Sequence, residues 1–388
     1  MLRHLFKLIW NKKASHSLLI IEVWAAFMVL FGVLTLIVYN LRNYLQPIGF
    51  QYEQVWNLEV SSNQDTTALA EKLQRTMQRV RSYPEAIYAS RMSSNTPFSA
   101  NQIGNSVTYN KVDVGGDFYY TDGELAKVLD LPLKKGRWYN DADLAGKFVP
   151  LVINQQMEEK LFQNESGLNK IVKLDDKTSG KIVGIVDKFK AKGVYMSDNP
   201  GLFYMLRPDD RFNSNILIKT RPGTDANFEA RLVKDIAMML PGWGVEVGYL
   251  KDSRKNRENL TLVPVLIFLI ISGFLLTNVA LGLFGVLNLN IAKRKGEIGL
   301  RRAMGATEAR VTGQFLGEIW VLATFSLVIG LIFAVQFPLM NVFDLDKETY
   351  FIAIVAAVAV IYMIVTLCAW FPSRQAATIH PAVALHEE

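Results

Sequence analysis

Residues 293–307, KRKGEIGLRRAMGAT, hold side chains that could grip a protein partner. The charged ones can form charge-assisted hydrogen bonds, which are stronger than neutral ones. The apolar ones can add the hydrophobic contact found at the centre of protein interfaces. The charged candidates are Glu297, Arg301 and Arg302, and the apolar candidates are Ile298, Leu300 and Met304. The chemistry that this run predicts is therefore non-covalent docking.

Three glycines interrupt the run, at Gly296, Gly299 and Gly305. Because glycine tolerates left-handed backbone conformations and leaves room for close approach, these positions predict helix caps or tight contact with the partner. A solvated basic loop that only keeps positive charge on the cytoplasmic side is the simpler alternative. That alternative does not require the order EIGLRRAMGA, so we favour docking.

Elsewhere the chain lacks the residue types of common catalytic and metal sites. Residues 41–258 contain no histidine or cysteine, which excludes a Ser-His-Asp or Cys-His nucleophile and a histidine-ligated zinc site there. Adjacent acids such as Glu158 and Glu159 are expected to be solvated. No G-x-x-x-x-G-K-[ST] motif occurs, so ATP would have to be bound by another polypeptide. We expect no enzymatic activity, metal or cofactor on this chain.

The docking run lies between two of four long apolar segments. Each segment reaches the length of about 20 residues with which a helix crosses a bilayer. The segments cover residues 18–40, 262–288, 313–337 and 350–371. The second is preceded by the end of a helical stalk, so this element is taken as 259–288. The sequence therefore predicts an α-helical membrane protein with four transmembrane helices.

Lysine and arginine concentrate in the tail 1–17 and in the loop 289–312, whereas the connection 338–349 is acidic. Positive charge is retained on the cytoplasmic side of a membrane. We therefore predict that both termini and the loop are cytoplasmic, with 1–17 as an amphipathic surface segment and 372–388 as a tail. The net charge of +6 mostly reflects this asymmetry, so no nucleic-acid partner is expected.

Residues 41–258, between the first and second spans, have the composition of a globular domain and are predicted to lie outside the cytoplasm. Strand and helix patterns alternate along them, which predicts a large mixed α/β domain of two subdomains. Strands are expected at 55–60, 86–90, 107–114, 149–153, 170–174, 181–186, 216–219 and 245–250, helices at 66–83, 122–129, 155–162 and 225–239, and a helical stalk at 251–258.

Two acids fall within the apolar segments, where an ionisable side chain is costly and is a candidate functional group. Glu22 and Glu318 lie about one turn inside the cytoplasmic ends of their spans, where they could reach headgroups or loop arginines. We favour a structural or coupling role over a proton relay. Gly313 and Gly317 form a small-xxx-small pattern that predicts a helix-packing face.

The chain resembles the MacB/FtsX-like permease subunits of ABC transporters. The loop RKGEIGLRRAMGAT with the following QFLGE, and the tail PSRQAATIHPAVAL (372–385), are similar to this family's segments. The stretches GDFYYTDGELAKVLDLPLKKGRWYN, VPLVINQQMEEKLF and IVGIVDKF are similar to the MacB-type periplasmic core, in the same order. The likeness extends over nearly the whole chain, including its layout of one span, a large domain and three spans.

The resemblance implies a bacterial inner-membrane protein whose residues 293–307 form a coupling helix docked on a separate ABC ATPase, which binds ATP and Mg²⁺. It further implies a second permease, either a copy of this chain or a sister chain, within membrane lipid. A periplasmic adaptor or outer-membrane channel is left open.

Three functions follow as alternatives. The first is export of a drug, peptide, toxin or lipoprotein by relayed motion. The second is FtsX-like signalling to an envelope enzyme, and the third is an ATP-independent scaffold.

Overall fold

A computed structural model describes residues 13–61, 68–163, 165–207 and 215–378. The chain divides into two compact units, a membrane unit (Met1–Arg42 with Leu262–Glu388) and an α/β unit (Asn43–Thr261). The amphipathic segment predicted for 1–17 lies mostly outside the described residues, as does most of the tail predicted for 372–388.

Ten helices and eleven strands are described. The helices are α1 (Lys13–Tyr44), α2 (Leu69–Arg81), α3 (Leu125–Val128), α4 (Gln155–Phe162), α5 (Ala226–Met239), α6 (Leu250–Lys293), α7 (Lys295–Ala303), α8 (Glu308–Ala334), α9 (Gln336–Leu339) and α10 (Lys347–Ala377). The strands are β1 (Val55–Ser61), β2 (Ala86–Met92), β3 (Gly104–Tyr109), β4 (Val112–Thr121), β5 (Leu133–Gly136), β6 (Val149–Asn154), β7 (Ile171–Lys173), β8 (Ser179–Val186), β9 (Gly201–Met205), β10 (Asn215–Thr220) and β11 (Gly244–Tyr249).

Four of these helices, α1, α6, α8 and α10, are long and apolar enough to cross a membrane. The prediction of four helices long and apolar enough to span a membrane, together with a large α/β domain, is confirmed. The helices extend beyond the predicted spans, because α6 runs unbroken through the predicted stalk and the second span, and α8 begins at Glu308. Hydropathy marks only the apolar part of each helix, which is the length that can lie in lipid.

The membrane unit is held by close packing and by paired polar groups. A Cβ on Gly330 of α8 would lie 2.4 Å from Cδ1 of Phe27, a fully buried ring of α1. Between α8 and α10, Trp320 Nε1 donates to Thr366 Oγ1 at 2.9 Å. Interhelical hydrogen bonds of this kind stabilise helix pairs in lipid, where an unpaired polar group is costly.

The glycines that make close contacts are not the predicted ones. A Cβ added at Gly313 or Gly317 would meet no atom of the described residues within 4 Å. The prediction that these two glycines form a packing face is therefore wrong for contacts within this chain. Close approach occurs instead at Gly330 and at Gly282, whose added Cβ would lie 2.8 Å from Glu22 Oε2.

The described strands of the α/β unit form one mixed sheet. Strands β11, β1, β10 and β2 make an open antiparallel half, and α2 and α5 supply side chains to its apolar core. Strands β4, β3, β7, β8, β6 and β9 follow, and β9 pairs with both β6 and β4, so these six strands close into a ring. The β4–β9 and β6–β8 pairs are parallel.

The single strand predicted for 107–114 is a hairpin instead. Strands β3 and β4 pair in antiparallel register with Tyr109 opposite Val112. Asn110 and Lys111 between them both have positive φ, 45° and 70°. Positive φ at both central residues is the geometry of the tight turn that matches strand twist. Asn110 is a common residue in such turns, but Lys111 is not, so the usual Asn-Gly signal is missing.

We expect Gly330→Ala to destabilise the membrane unit, because the new methyl group would collide with the buried Phe27 ring. Overpacking of this kind costs about 1–3 kcal/mol. Gly313→Ala is the matched control in the same helix and should be neutral or stabilising by up to ~1 kcal/mol through helix propensity. Thermal unfolding of the full chain in detergent, followed by circular dichroism, measures both. Equal melting temperatures for the two variants would contradict this packing.

The buried carboxyl group of Asp198 makes the free energy of unfolding of the α/β unit depend on pH. Its Oδ1 accepts hydrogen bonds from Asn154 Nδ2 and Phe189 N, whereas Oδ2 is buried without a partner in the described residues. Burial raises the pKa of Asp198 to about 6. Because the folded state holds this proton more tightly than the unfolded state, the stabilisation present at low pH is lost as pH rises from about 4 through about 6.

We therefore expect Asp198→Asn to raise the free energy of unfolding at pH 7 by an amount of the order of 3 kcal/mol and to flatten its pH dependence. Asp176→Asn, in the exposed turn before β8, is the matched control. Urea unfolding of the full chain between pH 4 and pH 8 measures the effect. A variant whose stability still falls with pH as steeply as that of the native chain would show that another group is responsible.

Candidate coupling site

Helix α7 lies between α6 and α8 and has a capped C-terminal end. Its end is a Schellman motif, in which Ala306 N donates to Arg301 O and Gly305 N donates to Arg302 O, both at 3.0 Å. Gly305 has φ +93°, a left-handed conformation that favours glycine. The motif stops the helix and turns the chain into α8.

One face of α7 is exposed and carries most of the predicted docking residues. Leu300 and Met304 are 52% and 72% exposed, and Glu297 and Arg301 lie beside them at helical spacing. Ile298 is only 4% exposed and packs into the core of the membrane unit. Ile298 therefore anchors α7 within the chain and is not available as part of an apolar docking face.

Arg302 is also used within the chain. Its Nη1 donates to Ala306 O at 3.0 Å, and its Nη2 pairs with Glu308 Oε1 at 3.3 Å. These bonds span the turn between α7 and α8. Arg302 therefore braces this turn, and of the three predicted docking charges only Glu297 and Arg301 lie on the exposed face.

A side-chain network ties α7 to α8 on the other side. Arg294 Nη1 donates to both carboxylate oxygens of Glu318, at 2.9 and 3.1 Å. Gln314, one turn before Glu318, donates to Glu318 Oε1 at 3.4 Å and accepts from Arg301 Nη1 at 2.5 Å. Arg301 in turn donates to Glu297. The network runs from the exposed face of α7 to an acid inside α8.

The Arg294–Glu318 pair is the strongest member of this network. Both side chains are 20% exposed. A half-buried pair is screened less by water and salt than a surface pair. By contrast, Arg301 and Glu297 are 43% and 51% exposed, and such a pair within a helix contributes about 0.3–0.5 kcal/mol. Arg294 and Arg302 tie the ends of α7 to Glu318 and Glu308 of α8, so a force on the exposed face of α7 would move both helices.

Glu318 pairs with the loop arginine Arg294, as its place near the end of the span predicted, whereas Gln314 was not predicted as a member of this site. The i, i+4 spacing of Gln314 and Glu318 was a usable signal, since it places the two side chains on one face of α8. The other predicted acid, Glu22, is not part of the network. Its Oε2 is buried and has no hydrogen-bond partner within the described residues.

No group of three or more histidine, cysteine, aspartate or glutamate side chains in the described residues could hold a metal ion. The arrangement at α7 is suited to contact and to transmitting force, and it presents no nucleophile.

Two families match this chain in consecutive regions. Residues 25–234 match the MacB-like periplasmic core domain, and residues 269–381 match the FtsX-like permease C-terminal region. The second match includes α7, α8 and α10.

Individual relatives are distant. The macrolide export ATP-binding/permease protein MacB of Neisseria meningitidis serogroup A is 24% identical over 309 residues, covering 76% of this chain and 47% of that protein. MacB of Escherichia coli O157:H7 is 23% identical over 322 residues, with the same two coverages, 76% and 47%. The periplasmic region of MacB from Actinobacillus actinomycetemcomitans is 12% identical with a TM-score of 0.40, covering 56% of this chain and 98% of that chain.

The chain spans just under half the length of these curated relatives. The match to the periplasmic core extends over more than half of the chain, and the permease match follows it through most of the last three candidate spans, α6, α8 and α10. This protein therefore belongs to the MacB/FtsX-like permeases of ABC transporters.

Proposed function

We propose that this chain is the permease subunit of a MacB-like exporter in the bacterial inner membrane, and that it relays ATP-driven motion from a separate ABC ATPase to its α/β unit. In this proposal α7 and both termini face the cytoplasm, and the α/β unit lies in the periplasm. The observation that supports it is the exposed face of α7, together with the side-chain network that joins α7 to α8. The ATPase binds ATP and Mg²⁺, and this chain holds neither.

The ATPase would dock on Leu300 and Met304, with Glu297 and Arg301 at the polar rim. Exposed apolar side chains between charged ones are typical of a protein contact with an apolar centre and a polar edge. Closure of the ATPase on ATP would displace α7 and, through Arg294 and Glu318, the spanning helix α8. Export of a drug, peptide, toxin or lipoprotein would follow from the resulting movement of the α/β unit.

A second permease chain fits the surface of α6. Only 6% of its most apolar stretch is buried, against 39%, 44% and 22% for the spans of α1, α8 and α10. In lipid, helix association depends on close packing, for which a second copy or a sister chain could supply the surface. A periplasmic adaptor and an outer-membrane channel would be further partners of an exporter.

FtsX-like signalling to an envelope enzyme is the second candidate, favoured by the permease match at 269–381. Purification of the full chain from membranes, with identification of the bound chains, separates the possibilities. An ATPase with an adaptor favours export, an ATPase with an envelope enzyme favours signalling, and recovery without any ATPase contradicts both and favours a scaffold.

We expect the double substitution Leu300→Asp with Met304→Asp to lower recovery of the ATPase at least about tenfold, because it buries two charges in the proposed apolar contact. Insertion should persist, since neither side chain packs into the membrane core. Ala309→Asp, on the exposed first turn of α8, is the matched control. Quantitative mass spectrometry after affinity purification measures recovery. Undiminished ATPase in the double variant would rule out α7 as the docking element.

Breaking the Arg294–Glu318 pair should impair coupling between α7 and α8, and not the binding of the ATPase. Glu318→Arg places two cations together, which should uncouple α7 from α8 while the docking face stays intact. Removing one partner of a buried pair costs about 3–5 kcal/mol, and this half-buried pair should cost less. We expect ATPase recovery to remain near normal while ATP-dependent export or signalling is lost.

The exchange of both charges, Arg294→Glu with Glu318→Arg, tests this interpretation. If the pair acts through its attraction, the exchange should restore at least part of the activity that Glu318→Arg removes. Activity in whole cells, measured beside ATP hydrolysis of the purified assembly, is the readout. Full activity in Glu318→Arg alone would show that the pair does not transmit force.

A further inference from the structure

A lysine is buried in the α/β unit, and no acid among the described residues pairs with it directly. Lys190 is 1% exposed, and its Nζ donates to the backbone oxygens of Asn43 at 2.6 Å and Val194 at 2.7 Å. Burial lowers the pKa of Lys190 to about 8. A buried ammonium is tolerated only where hydrogen bonds replace its water. The two carbonyls that hold it therefore cannot separate without leaving a charge unsolvated.

Lys190 belongs to residues 188–195, here called the clasp loop, which follows β8. The clasp loop holds residues 43–50, the first connector, where the chain passes from α1 into the α/β unit. Besides the bond to Asn43, Lys190 N donates to Ile48 O at 3.1 Å. The rings of Tyr44 and Tyr195 stack with centroids 5.6 Å apart.

Gly49 shows how tightly the first connector and the clasp loop fit. A Cβ at Gly49 would lie 2.0 Å from the backbone oxygen of Lys188, and Gly49 has φ +92°. Any other residue would therefore clash and be strained. The clasp loop thus contacts the first connector at several points between Asn43 and Gly49.

The clasp loop also holds the other end of the α/β unit. Residues 250–261 of α6, the stalk, carry the chain out of this unit. Arg257 Nε donates to Lys192 O at 3.2 Å. The Arg254 guanidinium lies 4.7 Å from the centre of the Tyr52 ring, just beyond the first connector. Both ends of the unit thus meet at one loop.

The same loop is anchored to the ring of six strands. It connects β8 to β9 in sequence, and Lys192 Nζ pairs with Asp117 Oδ2 in β4 at 3.0 Å. Both side chains are largely buried, at 23% and 10% exposed. A displacement of the clasp loop would therefore reach three strands of the ring.

We infer that the clasp loop, centred on Lys190, locks the first connector and the stalk to each other and to the six-strand ring. Lys190 acts as a positioning residue: movements of α1 and α6 reach the α/β unit as one displacement and are not absorbed by independent motion of the two connections. This inference rests on the proposed function for its role in transport, but the lock itself can be measured without an ATPase.

The distance between nitroxide labels on the two ends tests the lock. Leu45→Cys in the first connector and Lys255→Cys on the stalk, both at exposed positions, are labelled in a Cys368→Ser background and measured by electron paramagnetic resonance in nanodiscs. We expect a narrow distance distribution with native Lys190 and a clearly broader one with Lys190→Met, which keeps the side-chain length and loses both hydrogen bonds. Lys177→Met, at an exposed turn, is the matched control.

The assembly recovered with its ATPase supplies the second readout, with ATP and vanadate as the probe. In the native chain the label distance should not change, because the lock keeps both ends together, whereas in Lys190→Met it should change. The ATPase should be recovered in equal amount with both chains, and circular dichroism should show the same helix content, which a general loss of structure would not allow. If Lys190→Met does not fold, Arg257→Ala, which removes only the stalk bond, takes its place in both measurements.

Equal distributions for Lys190→Met and Lys177→Met would overturn the inference. So would a label distance in the native chain that changes with ATP and vanadate. If no ATPase is recovered, the proposed function fails, and the comparison of distribution widths in the chain alone still decides whether the lock exists.

Discussion

Hydrocarbon imposes the constraint on which this structure depends. A chain in lipid has no water for its backbone, so each crossing segment must satisfy its own peptide groups as a helix. The four spans accordingly are long helices whose shared apolar core includes the buried ring of Phe27 against Gly330. A helix bonded in this way is stiff along its axis. The ends of such helices extend into polar surroundings, where charged side chains such as Arg294 and Glu318 can meet.

Helix α7 has two faces with different roles: one face fixes the helix to the rest of the chain, and the other stays exposed for a partner. Ile298 and the Arg294–Glu318 pair fix the helix to the chain, and Leu300 and Met304 remain exposed. The exposed pair Glu297–Arg301 contributes little to stability, because water screens it. It can exchange partners at small cost. This division explains why a run of mixed charged and apolar residues need not be either a core segment or a solvated loop.

Hydropathy and charge were sufficient to predict the spans, and strand periodicity was sufficient for most of the α/β unit. Helices α4 and α5 and strands β1, β6 and β10 lie where their patterns predict. Strands β5 and β9 were missed, because LKKG has no alternation and GLFYM is short and follows a proline. One strand was predicted for 107–114, whereas the structure has two strands joined by a turn. The turn depends on positive φ at Asn110 and Lys111, and the residue types did not predict it.

At the coupling site, residue type predicted the element but not the direction of each side chain. Ile298, Leu300 and Met304 are all apolar, and only packing against α8 and its neighbours distinguishes the buried one from the two exposed ones. The glycine pattern failed for a similar reason. Gly313 and Gly317 have the right spacing, yet the contact depends on whether a neighbouring helix faces them, which one helix's sequence does not contain.

Helix α7 and the clasp loop also differ in what their side chains contact. Leu300 and Met304 leave apolar surface in water, so covering them is favourable and can be reversed when a partner leaves. At the clasp loop, Lys190 is buried and hydrogen-bonded to two carbonyls. Opening that contact would leave buried polar groups without hydrogen-bond partners. A surface that binds reversibly suits the place where work enters, and a contact that resists opening suits the place where it is delivered. In the proposed function, this difference supports α7 as the reversible docking surface and the clasp loop as a contact that stays closed.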